Sequence, residues 1–228
     1  MDTESLYTEN FKSGILDYYY LIDRQYPEKG TLKLVGDKYK LNRDQRTILY
    51  RGISSNLNAE ERKKRITDNI NKQYLIIDGY NVLFSLLNYR LGRIVFISND
   101  NIVRDAGSLH GKLRDEEIFF QCLELLFEFF HEHQPSFVHF YIDSPVSHSA
   151  LHSERINDMI HKNNLSGICE IVKSPDYVIK NFGEGIILTS DTVIIDKTTN
   201  PVADVPRKIL ESKFNAELFD LNKVLDNK

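Results

Sequence analysis

The sequence is poor in cysteine and has no long apolar run. Its two cysteines, Cys122 and Cys169, sit in apolar contexts without metal-binding or redox spacing, so we interpret both as core residues in a reducing cytoplasm. The longest apolar stretch, residues 118–130, is too short for a transmembrane helix and is interrupted by Glu124 and Glu128. The acidic, polar start of the chain lacks the pattern of a signal peptide.

Two motifs of common phosphate-binding folds are also missing. No G-x-G-x-x-G follows the first apolar run, which argues against a Rossmann dinucleotide-binding module. A HAD-type phosphatase would need a second aspartate two residues after Asp78, and Tyr80 occupies that position. Both function classes are therefore set aside.

The composition is that of an ordinary globular protein, but its charge is uneven. With 228 residues, 41% of them hydrophobic, the chain is long enough for one large domain or a domain with an appendage. Residues 1–72 carry a net charge of +3 and the remainder −7. A basic appendage suits a protein that binds polyanions, and the alternative is a solvated helix face. The excess lies in residues 38–65, at Lys38, Lys40, Arg43, Arg46, Arg51, Arg62, Lys63, Lys64 and Arg65.

The apolar pattern predicts two parts. Residues 1–72 have helical spacing and predict a small all-helical N-terminal domain, with a capping box formed by Asn42 and Gln45 and a last helix over 57–73. In residues 73–228 apolar strands alternate with helices, which predicts an α/β domain with a parallel sheet flanked by helices. The predicted strands cover 73–78, 93–98, 136–143, 168–173, 185–190 and 193–196.

An aspartate follows nearly every predicted strand. In an open parallel sheet the carboxyl ends of the strands form the ligand-binding edge, so we expect these side chains on one edge. A single such aspartate usually caps a helix. Several together repel by roughly 4 kcal/mol per pair at about 4 Å, and carboxylate ligands select Mg²⁺ or Mn²⁺. Such ions act on phosphate esters. The residues are Asp78, Asp100, Asp105, Asp143, Asp176, Asp191 and Asp196.

The segments "LIIDGYNVL" and "ILTSDTVIID", with acids between them, resemble the PIN/NYN nuclease superfamily over residues 73–214. The resemblance implies a PIN-like fold and a Mg²⁺- or Mn²⁺-dependent site that hydrolyses phosphodiester bonds. It implies Asp78, Asp176, Asp191 and Asp196 as catalytic, metal-binding residues and Asn81 as a neighbouring substrate contact.

The whole chain further resembles a two-part family in which a helical N-terminal domain precedes a PIN-like domain. The matching blocks are residues 23–52, 103–111 and 143–153, and they add Asp105 and Asp143 as metal ligands. One acid of the superfamily pattern stays open among Asp100, Asp105, Asp115, Glu116 and Glu117.

The segment "SPVSHS", residues 144–149, has two interpretations. Ser147 and Ser149 could bind a phosphate at a helix start, or they could simply cap that helix. His148 and His152 lie one helical turn apart, but no third zinc ligand follows at a matching spacing. We therefore expect these histidines to be exposed helix residues.

Together these patterns predict a metal-dependent nuclease that acts on RNA and holds it through Arg43, Arg46 and Arg51. The alternative is a non-catalytic RNA-binding or regulatory protein on the same scaffold. The helix over 115–133 is apolar on most sides and has to be covered. The sheet and the N-terminal helices are the expected cover, and a second subunit is the alternative, which leaves a homo-oligomer open.

Overall fold

The structure is a computed structural model that describes residues 4–107, 115–144, 146 and 148–226. Its helices and strands follow one another in this order: a 3-10 helix at Glu4–Tyr7, α1 Glu9–Asp23, α2 Glu28–Lys38, α3 Arg43–Gly52, α4 Asn56–Lys63, β1 Tyr74–Asp78, α5 Gly79–Arg90, β2 Val95–Ile97, β3 Val103–Asp105, α6 Glu116–His133, β4 Phe137–Asp143, α7 Ser149–Lys162, β5 Gly167–Val172, α8 Pro175–Lys180, β6 Ile186–Leu188, α9 Thr192–Lys197, α10 Val205–Phe214, β7 Phe219–Asp220 and α11 Leu221–Leu225. No helix among the described residues has the length and hydrophobicity needed to cross a membrane.

The chain forms two compact units. Unit 1 comprises Met1–Lys64, Asn88–Ser108 and Glu217–Lys228, and unit 2 comprises Arg65–Leu87 and Leu109–Ala216. The sequence prediction placed one boundary at residue 72. The first segment of unit 1 instead ends at Lys64, and two later segments complete that unit.

Unit 1 joins the N-terminal helices to a three-stranded sheet of order β3-β2-β7. Phe96 on β2 and Phe219 on β7 pack in one core with Phe11, Ile15 and Ile48 of the helices. The helical N-terminal region is thus confirmed. The sequence pattern placed β2 in the parallel sheet, and this prediction was wrong. A short apolar run indicates a buried strand but does not indicate which sheet that strand joins.

Helix α3 begins where the sequence predicts. Asn42 Oδ1 accepts a hydrogen bond from the Gln45 backbone N–H at 2.9 Å, and Gln45 Oε1 accepts one from the Asn42 N–H at 2.9 Å. This reciprocal pair is the predicted capping box. The predicted helix over 57–73 was too long: α4 ends at Lys63. Unit 2 then begins outside the helices and strands, with Ile66 bridging to Val202.

Unit 2 contains a four-stranded sheet of order β5-β4-β1-β6 in which all neighbouring pairs are parallel. The predicted α/β class, a parallel sheet flanked by helices, is confirmed. Residues 193–196, predicted as a strand, instead lie in α9. The Asp191 carboxylate caps that helix by accepting a hydrogen bond from the Val193 N–H at 2.7 Å.

The two faces of this sheet are covered by different helices. Phe127 of α6 stacks on Phe140 of β4 on one face, with 6.0 Å between ring centroids. On the other face, Ile179 of α8 and Ile194 of α9 form a core with Ile76 of β1. Helix α6 buries seven apolar side chains within the single chain: Phe119, Cys122, Leu123, Leu126, Phe127, Phe129 and Phe130.

Candidate active site

Four aspartates of unit 2 lie at the carboxyl ends of its strands or at the start of the helices that follow them. Asp78 ends β1 and Asp143 ends β4, while Asp176 lies in the first turn of α8 and Asp191 caps α9. Asp78 is in register with Tyr141, so Asp143, two residues further along β4, belongs to the same face of the sheet. We call these four residues the carboxylate cluster.

Asp78 is the buried member of the carboxylate cluster, with 7% of its surface exposed. The pKa of Asp78 is raised from 3.8 to about 7, mainly by burial and also by the charges of Asp191, Asp143 and Asp176, although a hydrogen bond from Thr189 opposes the rise. Burial and the charge of Asp176 also raise the pKa of Asp143. The other three carboxylates therefore lie within electrostatic reach of Asp78.

The D-G-Y-N and T-S-D segments are joined by hydrogen bonds. The Thr189 hydroxyl donates to Asp78 Oδ2 at 2.9 Å and accepts from the Asp191 backbone N–H at 3.1 Å. Asn81 Oδ1 accepts from both the backbone N–H and the hydroxyl of Ser190, at 2.8 and 2.9 Å. Asn81, predicted to contact substrate, thus fixes the loop that carries Asp191.

Gly79 makes this geometry sterically possible. A Cβ at this position would lie 2.6 Å from Cγ2 of Ile142 and 3.1 Å from the backbone oxygen of Tyr141. Any side chain would therefore push Asp78 and the start of α5 away from β4. The glycine of the D-G-Y-N segment is explained by this close approach.

The remaining catalytic aspartates of the sequence prediction have less buried positions. Asp176 is half-buried and accepts a hydrogen bond from the Ser174 hydroxyl at 2.9 Å. Asp196 is exposed on α9. Among the residues that the structure describes, no three histidine, cysteine, aspartate or glutamate side chains form a ready-made metal-binding group. Within the carboxylate cluster, oxygens of Asp78, Asp176 and Asp191 accept separate protein hydrogen bonds.

Asp100 and Asp105 do not lie on the edge of the parallel sheet, so the prediction that all the strand-end aspartates share one edge was wrong. Both belong to unit 1, Asp100 in the turn after β2 and Asp105 in β3. Asp105 accepts a hydrogen bond from Arg51 at 3.3 Å, although burial outweighs that arginine and raises the pKa of Asp105.

Asp100 is enclosed by two arginines. Arg104 donates two hydrogen bonds to its carboxylate, both at 2.8 Å, and Arg62 donates one at 3.1 Å. Burial alone would raise the pKa of Asp100, but the charge and hydrogen bonds of Arg104, with Ser98 and Arg62, hold it well below its usual range. Asp100 is therefore a buried structural anion.

The basic stretch 38–65 is largely neutralised within the chain. Arg46, predicted to hold RNA, donates to Asp37 at 2.9 Å and to the Leu41 backbone oxygen at 2.9 Å. Its guanidinium lies over Gly36, where a Cβ would come within 2.2 Å of it. Arg43 is exposed on α3. The ion pairs join Lys38 to Asp17, Arg46 to Asp37, Arg51 to Asp105, Arg62 to Asp100, Lys63 to Glu60 and Lys64 to Glu61.

The two serines predicted for phosphate binding have different outcomes. Ser149 begins α7, and its hydroxyl donates to the Ser144 backbone oxygen at 3.4 Å. Ser147 lies outside the described residues. Three of the acids left open at the start of α6 are also placed, because Asp115 is its N-cap and Glu116 and Glu117 form its first turn.

His152 is fully buried, and the expectation of an exposed helix residue was wrong. Its Nδ1 lies 2.9 Å from the Tyr80 hydroxyl, also buried, and its ring packs against Phe119. Burial lowers the pKa of His152, with the charge of Glu116 opposing that change. Tyr80 belongs to the D-G-Y-N segment, so a partner 72 residues away holds that segment in place. Spacing along α7 alone gave no signal for this pair.

Comparison with known proteins gives two family matches and one similar protein. Residues 67–208 match the family model described as Domain of unknown function (DUF5616), and residues 10–65 match the one described as Protein of unknown function (DUF434). The chain is 31% identical over 181 residues to Uncharacterized protein MJ0935 of Methanocaldococcus jannaschii. The aligned region covers 78% of this chain and 86% of that protein. No solved structure matches.

Proposed function

The chain belongs to the family described as Domain of unknown function (DUF5616), and on that premise we propose that it is a metal-dependent nuclease that hydrolyses phosphodiester bonds in RNA. The observation that carries the proposal is the carboxylate cluster around buried Asp78. Without a cation, burial raises the pKa of Asp78 to about 7, and the charges of three further carboxylates add to this effect. A fold that gathers three acids around a buried one gains stability when a cation neutralises them.

The donor set of the carboxylate cluster fits a hard divalent cation. Asp78, Asp143, Asp176 and Asp191 offer only carboxylate oxygens, which suit Mg²⁺ or Mn²⁺ rather than a softer ion. These four residues would hold the ion, with Asp196 exposed on the neighbouring helix. When bound, such an ion polarises phosphoryl oxygens and lowers the pKa of water.

The side chains around the cluster prepare it for this role. Thr189 fixes one oxygen of Asp78, and Asn81 fixes the backbone of Ser190, so the two acids at the ends of β1 and β6 keep a constant geometry. Asp176 and Asp191 are half-buried, so in this proposal they are the members of the cluster nearer to an arriving substrate phosphate. Positioning of this kind supplies much of an enzyme's rate.

RNA as the substrate follows from the resemblance to PIN/NYN nucleases and from the basic stretch 38–65. We propose that Arg43, Arg46 and Arg51 contact phosphates, with the bonds of Arg46 to Asp37 and of Arg51 to Asp105 exchanged for RNA. A cytoplasmic location belongs to the same proposal, since both buried cysteines are free thiols.

Hydrolysis of a labelled single-stranded RNA by the full chain tests the proposal. We expect cleavage with Mn²⁺ or Mg²⁺ and none with a chelator. Asp191→Asn should reduce the rate at least about 100-fold, because metal assistance contributes several kcal/mol to the barrier. Asp158→Asn, an exposed change on α7, should cleave as the wild type does.

Two results would oppose this function. Cleavage that persists with the chelator, or in Asp191→Asn, would show that the carboxylate cluster is not the catalytic site. RNA binding without cleavage at any divalent ion would favour the alternative, a non-catalytic RNA-binding protein on the same scaffold.

A further inference from the structure

A second group of potential metal ligands lies at the start of α6 and α7. His148 is the N-cap of α7, in the left-handed conformation at φ 65°, and its Nδ1 contacts Glu116 Oε1 in the first turn of α6. The side chains of His148 and Glu116 are 64% and 36% exposed. His152, one turn along α7, is 0% exposed. Three ligand-type side chains thus lie at the start of two helices of unit 2, with His148 in contact with Glu116 and its ring centroid 6.5 Å from that of His152.

His152 has a buried nitrogen without a partner. Its Nδ1 is bonded to Tyr80, but no hydrogen-bond partner for Nε2 occurs among the described residues. The ring centroids of Phe119 and Phe120 lie 4.8 and 5.9 Å from that of His152. A buried polar atom left unbonded costs about 1 to 3 kcal/mol and calls for a ligand or another physical reason.

We propose that Glu116, His148 and His152 bind a divalent transition-metal ion of the zinc type. Two imidazoles and one carboxylate are a common protein ligand set for Zn²⁺. When Nδ1 of His152 donates its proton to the Tyr80 oxygen, Nε2 presents its lone pair to the ion. This is the usual way in which a protein orients a histidine ligand. The site goes beyond the proposed function, and its nitrogen ligands distinguish it from the carboxylate cluster.

Metal binding requires a small closure of the group. The ring centroids of His148 and His152 are 6.5 Å apart, and the exposed His148 now contacts Glu116. In this closure the side chains of His148 and Glu116 turn towards Nε2 of the buried His152, whose ring is held by Tyr80 and Phe119. In the sequence, no third ligand lies near the two histidines. The third ligand, Glu116, lies 32 residues before His148 and comes close to it only in the folded chain.

Calorimetric titration of the untagged, metal-free full chain with Zn²⁺ tests the site, in excess Mg²⁺ that occupies the carboxylate cluster. We expect one Zn²⁺ per chain. His148→Ala, at an exposed position, and Glu116→Gln, at a half-buried one, should each weaken binding at least about 100-fold, which is more than the loss of a residue that only orients a ligand. His161→Ala, exposed at the end of α7, and Asp78→Asn should bind Zn²⁺ as the wild type does.

A second measurement covers the buried ligand. With Co²⁺ in place of Zn²⁺, the wild type should show the absorption spectrum of a tetrahedral site, and folded His152→Asn should not. If His152→Asn does not fold, the Zn²⁺ titration of His148→Ala tests the proposal instead. Wild-type affinity for Zn²⁺ in His148→Ala, or no Zn²⁺ binding by the wild type, would overturn the proposal.

Discussion

Replacing Asp78 with asparagine is expected to stabilise the metal-free protein at pH 8 by about 4 kcal/mol. The pKa of Asp78 rises from 3.8 to about 7 on folding, because the residue is buried beside Asp191, Asp143 and Asp176. The difference between these pKa values corresponds to about 4 kcal/mol of stability through proton linkage. Asparagine has the shape of the protonated acid and carries no charge at any pH.

The sign of the effect follows from where the proton is bound. Between pH 4 and pH 7 the folded protein keeps the proton of Asp78 and the unfolded chain has released it, so the wild type loses stability as the pH rises. Above about pH 7 the loss is complete. The advantage of Asp78→Asn should therefore be near zero at pH 4 and reach its full size by pH 8.

Urea denaturation of both proteins from pH 4 to pH 8, with a chelator present, measures this difference. Asp158→Asn provides the matched control, because Asp158 is exposed on α7, and its stability difference should stay flat with pH. With Mn²⁺ added, the wild type should gain stability and Asp78→Asn should gain much less. A pH-independent difference for Asp78→Asn would contradict the electrostatic description of the cluster.

Replacing Asp100 with asparagine should have the opposite effect and destabilise the protein by about 3 to 5 kcal/mol at pH 7. Asp100 is fully buried and accepts hydrogen bonds from Arg62 and Arg104, whose side chains are only 8% and 3% exposed. Removing the anion leaves two buried guanidinium charges without it. The carboxylate also accepts a bond from the Ile102 N–H at 3.4 Å, which organises the turn between β2 and β3.

Chemical denaturation of Asp100→Asn and Asp37→Asn compares the loss of a buried partner of arginine with the loss of an exposed one. Asp37 also pairs with an arginine, Arg46, but its side chain is 59% exposed, so its loss should cost less than about 1 kcal/mol. Because its pKa is lowered, Asp100 contributes stability at neutral pH that is lost as the pH falls below about 4. Equal stabilities of the two variants would show that the buried cluster does not hold unit 1 together.

Local signals predicted much of the fold. The Asn42–Gln45 capping box and the parallel strands β1, β4, β5 and β6 depend on short-range patterns of caps and apolar runs, and both were found. The strand prediction for residues 193–196 was wrong because a run of three apolar residues suits a strand or a helix equally. In the structure this segment is helical, with Asp191 as its N-cap, and an aspartate in front of the segment was a capping signal already present in the sequence.

Sheet membership was beyond the reach of such patterns. Asp100 and Asp78 both follow an apolar run, yet Asp78 lies near other carboxylates and Asp100 lies between arginines. The difference depends on Arg62, 38 residues away, and on the core around Phe96, which no local window contains. Only Arg104, four residues after Asp100, offered a nearby signal.

The candidate site was predictable to the extent that parallel strand ends share an edge. Asp78 and Asp143 lie on neighbouring strands of one sheet, and the charges of Asp176 and Asp191 act on Asp78. The hydrogen bonds of Thr189 and Asn81 across 109 to 111 residues, and the burial of His152, depend on tertiary packing and were not predicted.

Anomalous diffraction from crystals of the full chain soaked in Mn²⁺ tests the central claim most directly. A manganese peak bounded by the carboxylates of Asp78, Asp176 and Asp191 is the expected result, and it should vanish in Asp78→Asn crystals treated in the same way. A map without a peak at the carboxylate cluster, or a peak that persists unchanged in Asp78→Asn, would contradict the assignment of these aspartates as a metal site.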